Sequence, residues 1–195
     1  PIQFDLSNES QIKEAANSIL SSNKSIDILV NNAAMIHTAI FQMTSIKKLK
    51  EVFEIDFFSQ TNFTQYILKS MVKNKKGSIL YISSSSALDG NEGRSAYSAA
   101  KSAMITQSKV LSREVGVHNI RVNAIAPGAL LQPDDWSSQR WAAVAEATPL
   151  KCSGSLDDVS QAVLFFANAE FVTGEILIVD GGRHLGPGGP PDAGE

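Results

Sequence analysis

Short apolar runs alternate along this chain with longer stretches whose apolar residues recur at helical spacing. Pro1-Ile2-Gln3-Phe4-Asp5-Leu6 reads as a strand, Ser7-Asn8 as the start of a helix from Glu9 to Leu20, and Ser21 to Ser25 as a polar turn. Ile26 to Val30 is a short apolar run of the kind found in strands buried on both faces of a parallel sheet, and it ends in Asn31-Asn32-Ala33-Ala34. From Ile46 to Ser70 the positions Leu49, Val52, Phe53, Phe57, Phe63, Ile67 and Leu68 keep helical spacing, and Lys73 to Gly77 stops them. Ser78 to Ile82 reads as a strand, Ser95 to Val115 as a helix, and Arg121 to Ala126 as a strand halted by Pro127-Gly128. Trp136 to Ala147 and Ser155 to Ala167 follow as helices, and Glu175 to Val179 as a last strand before Asp180-Gly181-Gly182. Strands and helices alternating at these lengths form βα units, hence a parallel sheet with helices on both faces: a doubly wound α/β fold.

Composition narrows the class without changing this picture. A chain of 195 residues, 43% apolar and 19% charged, holds enough apolar material for one domain with a full core, placed at residues 1–185. Gly186 to Glu195 is mostly Gly and Pro and reads as a disordered tail. A formal charge of −3 and a pI near 5.6 give no basic face for nucleic acid. No apolar run approaches the roughly 18 residues of a membrane span, and no signal peptide opens the sequence. The single Cys152 has no partner for a disulfide and no CxxC or His cluster for a metal, so no metal is expected and a reducing, cytoplasmic setting fits. Lysines concentrate at or before Lys109, and Ala, Pro, Gly and Trp take over after Gly128. That shift fits two segments of different history, and equally a scaffold followed by a variable lid.

The candidate chemistry centres on Tyr97 and Lys101. Four apart on one helix, their side chains leave the same face about 5–6 Å apart at Cβ. A phenol has a pKa of about 10, so acid–base work near neutrality needs a shift of roughly three units, or about 4 kcal/mol. One ammonium at about 4 Å supplies that much at an effective dielectric near 20. The spacing alone also describes a solvated helix face. Ser84, in the run Ser83-Ser84-Ser85-Ser86, precedes Tyr97 by a loop holding Gly90 and Gly93, which lets the hydroxyl fold back beside the phenol. In an open α/β sheet ligands bind beyond the carboxyl ends of the strands, where Asn31 to Ala34, Ser83 to Ser86 and Pro127-Gly128 all fall. Each also has a plain structural use: serines satisfy strand ends, asparagines make turns, and Pro-Gly stops a strand.

Asp5, Asn31-Asn32-Ala33, Ser84, Tyr97-x-x-x-Lys101, Arg121-Val122-Asn123 and Pro127-Gly128, in this order and spacing, resemble the short-chain dehydrogenase/reductase family from its third strand to its end. The resemblance implies a Rossmann-like fold, N-terminally incomplete in this sequence, and hydride transfer between NAD or NADP and a small-molecule carbonyl or alcohol. Tyr97 would then protonate the carbonyl oxygen or take the alcohol proton, and Ser84 would hydrogen-bond that oxygen. Lys101 would lower the tyrosine pKa and hold the nicotinamide ribose. Asp5 would touch the adenine with Leu6 beside it, Asn32, Ala33 and Ala34 would line the adenosine side, and Pro127-Gly128 would pack by the nicotinamide. Residues 129–153 would form the substrate lid, with Leu130, Leu131, Trp136 and Trp141 as an apolar lining or as plain packing. Homodimers or homotetramers would form through the helices at Ile46–Ser70 and Ser95–Val115.

The departures from the family pattern carry their own expectations. Asp56 stands where the family has a helix asparagine that relays protons to the lysine, so it would pair with Lys101 and temper its pull on Tyr97. Ala34 replaces a usual glycine, and Ala129-Leu130-Leu131 replaces the threonine expected after Pro127-Gly128. The run from Asp134-Asp135-Trp136 through Thr148-Pro149-Leu150 to Val179-Asp180-Gly181-Gly182-Arg183-His184-Leu185 resembles the pteridine reductase branch, whereas Ser84 does not match that branch's aspartate. The family's glycine-rich βαβ unit has no counterpart here. Its absence predicts unpaired strand edges, Ile28-Leu29-Val30 facing water, and weak cofactor binding by these 195 residues. The rival expectation is a catalytically silent remnant that serves as an oligomerisation or binding module.

Overall fold

A computed structural model describes residues 1–22, 25–134 and 136–186. Among them, β1 (Ile28–Asn31), β2 (Gly77–Ile82), β3 (Ile120–Pro127) and β4 (Ile176–Val179) form one parallel sheet in the order β1-β2-β3-β4. Parallel neighbours need crossover connections rather than hairpins. The helices are α1 (Glu9–Ser22), α2 (Ile46–Phe53), α3 (Ser59–Asn74), α4 (Ser86–Asp89), α5 (Ser95–Val115), α6 (Ser138–Glu146) and α7 (Leu156–Asn168).

Strand alternation sends Ile79 and Tyr81 of β2 to one face and Leu80 to the other. On the first face Ile67 and Met71 of α3 and Met104, Ile105 and Val115 of α5 pack against Leu29, Ile79, Tyr81 and Val122. On the second, Ala162 and Phe166 of α7 meet Leu80 and Ile125. Each large side chain so buried contributes about 1.5–3 kcal/mol, which fixes the strand register and with it the strand ends. Asn123, fully buried, joins β3 to the chain before β4: its Nδ2 donates to Val172 O and its Oδ1 accepts from Glu175 N, both at 3.0 Å. The Arg121 guanidinium donates to the Phe166 and Ala167 carbonyls at the end of α7.

The expected doubly wound α/β arrangement is present, with four local differences. Pro1–Leu6 is not a strand. A strand needs a ladder partner, and here the segment is held by side chains instead: Phe4 stacks on Phe63 at 5.5 Å, and the Leu6 carbonyl accepts from Ser59 Oγ. The run Ile26–Val30 is not buried on both faces. Among the described residues β1 pairs only with β2, and it starts at Ile28, so Leu29 is buried while Ile28 and Val30 are 46% and 38% exposed, as the unpaired-edge expectation requires. The helix expected over Ile46–Ser70 is interrupted by a π-helical turn at Glu54–Phe58 and runs on to Asn74, where Lys75 turns left-handed at φ 51°. The lid helix starts at Ser138 rather than Trp136, because the Ser137 side chain caps it by accepting from Arg140 N at 3.2 Å. Of the expected tail, residues 187–195 lie outside the described residues.

Candidate active site

Helix α5 supplies the centre of the site. Its buried stripe runs Ala96, Tyr97, Ala100, Lys101, Met104, Ile105, Ser108, so Tyr97 and Lys101 occupy positions that the sheet side of the helix would otherwise fill with apolar groups. Two bonds fix this part of α5 to the end of β2: Lys101 Nζ donates to Ile82 O at 2.8 Å, and Ser83 Oγ donates to Lys101 O at 2.9 Å. The serine run continues the parallel ladder, with Ser83 N donating to Ile125 O and Ser85 N to Pro127 O. Ser84 is thereby held between two paired residues; its Oγ accepts from Ser86 N at 3.2 Å.

The π-helical turn places Asp56. Such turns free carbonyls from the helix ladder, and the Gln60 side-chain amide takes them up, its Nε2 donating to Ile55 O and Asp56 O at 3.1 Å. The same amide reaches Ala33 O at 2.8 Å and so ties the loop after β1 to the turn. Asp56 is fully buried; its Oδ1 accepts from Met35 N at 2.6 Å, and its Oδ2 has no partner among the described residues.

The charges interact across this small volume. Burial pushes the Asp56 carboxyl up, against the Met35 N–H and the Lys101 charge, which hold it down. Burial drives the Lys101 ammonium toward its neutral form, and Asp56 opposes that. The Tyr97 phenol is pushed up by its own burial; the Ser84 hydroxyl pulls it down, Asp56 pushes it up, and Arg94 pulls it down. Arg94 and Lys101 flank the ring, the guanidinium carbon 5.8 Å and the ammonium 5.7 Å from its centroid.

The geometry therefore brings Ser84, Tyr97, Lys101 and Asp56 together. Lys101 gives one bond to Ile82, and burial acts against its own charge. Arg94, three residues before Tyr97, is a cation that pulls the phenol down, and neither it nor Gln60 figured in the sequence reading. The helical spacing i, i+3 for Arg94 to Tyr97 and i, i+4 for Asp56 to Gln60 is the signal that marks them.

The other candidates stand at the strand ends or apart from this cluster. Asn32 and Ala34 are exposed after β1, beside the half-buried Ala33. Pro127 closes β3, and Gly128 lies so close to Asp180 that an added Cβ would meet the Asp180 Cβ at 2.6 Å. That contact gives Gly128 a structural reason besides any cofactor. Asp5 turns its carboxylate onto Ser7, accepting from its N–H and Oγ at 2.8 Å, which holds the Asp5 carboxyl below its ordinary value. Trp136 and Trp141 meet edge to face at 6.5 Å, with Arg140 over Trp136 at 3.9 Å, so they pack on each other.

A nicotinamide ribose suits this donor set. Lys101 is 1% exposed and its ammonium makes a single hydrogen bond, leaving two N–H donors within the site for sugar hydroxyls. Among the described residues no helix is long and apolar enough to cross a membrane.

Comparison with known proteins agrees with this geometry. The family model described as Enoyl-(Acyl carrier protein) reductase matches residues 1–184. Carbonyl reductase family member 4 of Xenopus laevis is 34% identical over 184 residues, covering 94% of this chain and 78% of that protein. The 3-oxoacyl-[acyl-carrier-protein] reductase FabG of Thermotoga maritima is 31% identical over 186 residues, covering 93% of this chain and 76% of the relative. Among solved structures, ElxO with NADP bound superposes with a TM-score of 0.86 at 27% identity, covering 93% of this chain and 76% of that one. The extent of these matches, on a parallel sheet with the serine beyond the end of β2 and the tyrosine and lysine on α5, places the chain in the short-chain dehydrogenase/reductase family of NAD- or NADP-dependent oxidoreductases.

Proposed function

We propose that the chain interconverts a small carbonyl compound and its alcohol, with Tyr97 as the proton donor and acceptor. The observation that carries this reading is the buried Tyr97 phenol, touched by the Ser84 hydroxyl and flanked by two cations. Burial holds the phenol in its protonated form, which is the form an acid needs for reduction. As negative charge grows on the carbonyl oxygen, the Ser84 O–H and the Tyr97 O–H both donate to it. Such donors act most strongly on the developing charge, so they accelerate the reaction rather than merely hold the ground state. When bound, the nicotinamide supplies the hydride for reduction and accepts it for oxidation. Lys101 would hold its ribose, and Asn32, Ala33, Ala34, Pro127 and Gly128 would line its path, with Asp5 and Leu6 toward the adenine. Asp56 would bear on the proton through its charge on Lys101 and Tyr97. Residues 129–153 would act as the lid over a domain spanning 1–185.

The carbonyl reductase and oxoacyl reductase relatives support a ketone substrate. A cyclic C=N compound of the pteridine type is a second reading, supported by the Asp180-Gly181-Gly182-Arg183-His184-Leu185 run and weakened by Ser84. NADP is supported by its presence in the ElxO structure. Homodimer or homotetramer assembly through α2, α3 and α5 is supported by Ile46 and Val110, which those helices leave 68% and 52% exposed. A cytoplasmic setting is supported by the exposed, free Cys152. The test is steady-state oxidation of NADH and NADPH by the 195-residue chain against a panel of small ketones and a dihydropteridine. Turnover of ketones is expected; no turnover of any compound with either cofactor would favour the silent binding module instead.

A further inference from the structure

The chain leaving β1 keeps a strand-like alternation beyond its last ladder pair, Asn31 with Tyr81. From Asn31 to Ile40 the odd-numbered residues are buried or half-buried and the even-numbered ones exposed. Three of the inward positions are held by side chains of the helical segment opposite. Asn31 Nδ2 donates to Thr64 Oγ1 at 2.9 Å, Gln60 Nε2 to Ala33 O at 2.8 Å, and Met35 N to Asp56 Oδ1 at 2.6 Å. Asp56, Gln60 and Thr64 are 0%, 3% and 3% exposed, so each rung is shielded from water.

Steps of two along the loop thus meet steps of four along the helix, in opposite directions: Asn31 with Thr64, Ala33 with Gln60, Met35 with Asp56. Two residues of extended chain advance about 6.6 Å and four of helix about 6 Å, so the rungs stay in register. Gln60 is the middle rung. Its Nε2 also takes the Ile55 and Asp56 carbonyls at 3.1 Å, which the π-helical turn frees. Facing three carbonyl oxygens, that end of the amide has to be the nitrogen. The alternation turns Asn32 and Ala34, which lie on either side of the middle rung, outward.

We infer that Gln60 is a positioning residue for the nicotinamide cofactor: as the middle rung it holds Asn32 and Ala34 in the register in which they meet the adenosine side. The inference rests on the assignment of those two residues to the cofactor and adds what sets their place. Gln60 acts through the loop, by its bond to Ala33 O, and does not touch the cofactor itself. Without the middle rung the loop is pinned only at Asn31 and Met35, and the backbone between them is free to bow. That stretch then has to be ordered when the cofactor binds, and the entropy so lost is taken from the affinity.

The test uses the 195-residue chain and Gln60→Met, which keeps the length of the side chain and removes the amide. Two readouts need no turnover: amide hydrogen exchange at Met35 in the unliganded chain, and the Kd of NADH and NADPH by calorimetric titration. Loss of one buried bond of ordinary strength corresponds to about 3- to 10-fold. Gln60→Met is expected to speed Met35 exchange and to weaken the preferred nicotinamide by that factor. Asn123→Ala, which breaks a buried tether between β3 and the chain before β4, supplies the contrast: a lower unfolding midpoint with Kd within about twofold of wild type. Should Gln60→Met fail to fold, Thr64→Val removes the neighbouring rung and is read by the same two measurements, with the same directions expected. Unchanged Met35 exchange, or faster exchange with Kd within about twofold, overturns the inference. A wild-type chain that binds neither nicotinamide overturns the reading of the site itself, and the inference with it.

Discussion

Replacing Asp56 by asparagine removes a charge from the site while keeping its shape. Oδ1 would still accept from Met35 N, but an amide oxygen makes an ordinary bond of about 0.5–1.5 kcal/mol where the carboxylate makes one of about 1.5–3. Against that loss of about 1 kcal/mol stands removal of a buried charge: the amide nitrogen that takes the place of the unpartnered Oδ2 also lacks a partner, but a neutral group costs about 1–3 kcal/mol there and a charged one more. The folded state should therefore change little, within a few degrees of melting temperature for a chain of this size. The pH dependence should change more. Asp56 pushes the Tyr97 phenol up, because an anion nearby disfavours a second anion. In alcohol oxidation Tyr97 must work as a base, so the rate rises with pH until the phenol is ionised. Asp56→Asn is expected to move that rising limb to lower pH, and each unit of displacement gives about tenfold at a fixed pH on the limb, or 1.36 kcal/mol.

An opposing route runs through Lys101. Asp56 helps keep that buried ammonium charged, and its loss favours neutral Lys101. The 2.8 Å bond from Nζ to the Ile82 carbonyl does not involve Asp56 and favours the charged donor, which lets the direct effect on the phenol prevail. The assay is kcat/KM for alcohol oxidation from about pH 5 to 10, with Asp56→Ala as the companion. That variant also removes the charge but strands the Met35 N–H, so it should show the same limb and a melting temperature lower by about 2–4 °C per kcal/mol. A limb that stays put or moves to higher pH in Asp56→Asn, with the melting temperature unchanged, would refute the electrostatic reasoning.

Two further outcomes test the scaffold. Gly128→Ala brings a Cβ to within 2.6 Å of the Asp180 Cβ and 2.8 Å of its Cα, so backbone must shift; about 1–3 kcal/mol of destabilisation is expected in thermal or denaturant unfolding. An unchanged midpoint would show that the turn after β4 yields freely. Asn123→Ala removes two bonds and leaves Val172 O and Glu175 N without their partner, for an expected loss of about 2–4 kcal/mol; a loss below about 0.5 would contradict the buried-bond account.

Much of the fold and the heart of the site are legible in the residues themselves. The Tyr97–Lys101 spacing holds because α5 spans Ser95–Val115 as its pattern requires, and the register of β2 and β3 follows from apolar runs with one stable burial. The π-helical turn at Asp56 is not legible, since it leaves the heptad-like spacing of Ile46–Ser70 almost intact and differs only in where carbonyls find donors. Pro1–Leu6 has strand-like composition, but pairing depends on a neighbour rather than on its own residues. The electrostatic roles of Lys101 and Arg94 also escape sequence reading. Both lie at helical spacing from Tyr97, and spacing does not tell how burial and the bond to Ile82 hold each charge.

The most direct measurement is the turnover of Tyr97→Phe in both directions, beside its unfolding midpoint. The phenol hydroxyl is the proposed proton carrier and contributes little to the packing of the ring between Arg94 and Lys101. The account predicts loss of ketone reduction and of alcohol oxidation by at least about a thousandfold at an unchanged midpoint. A variant that keeps turnover within about tenfold of wild type would contradict it.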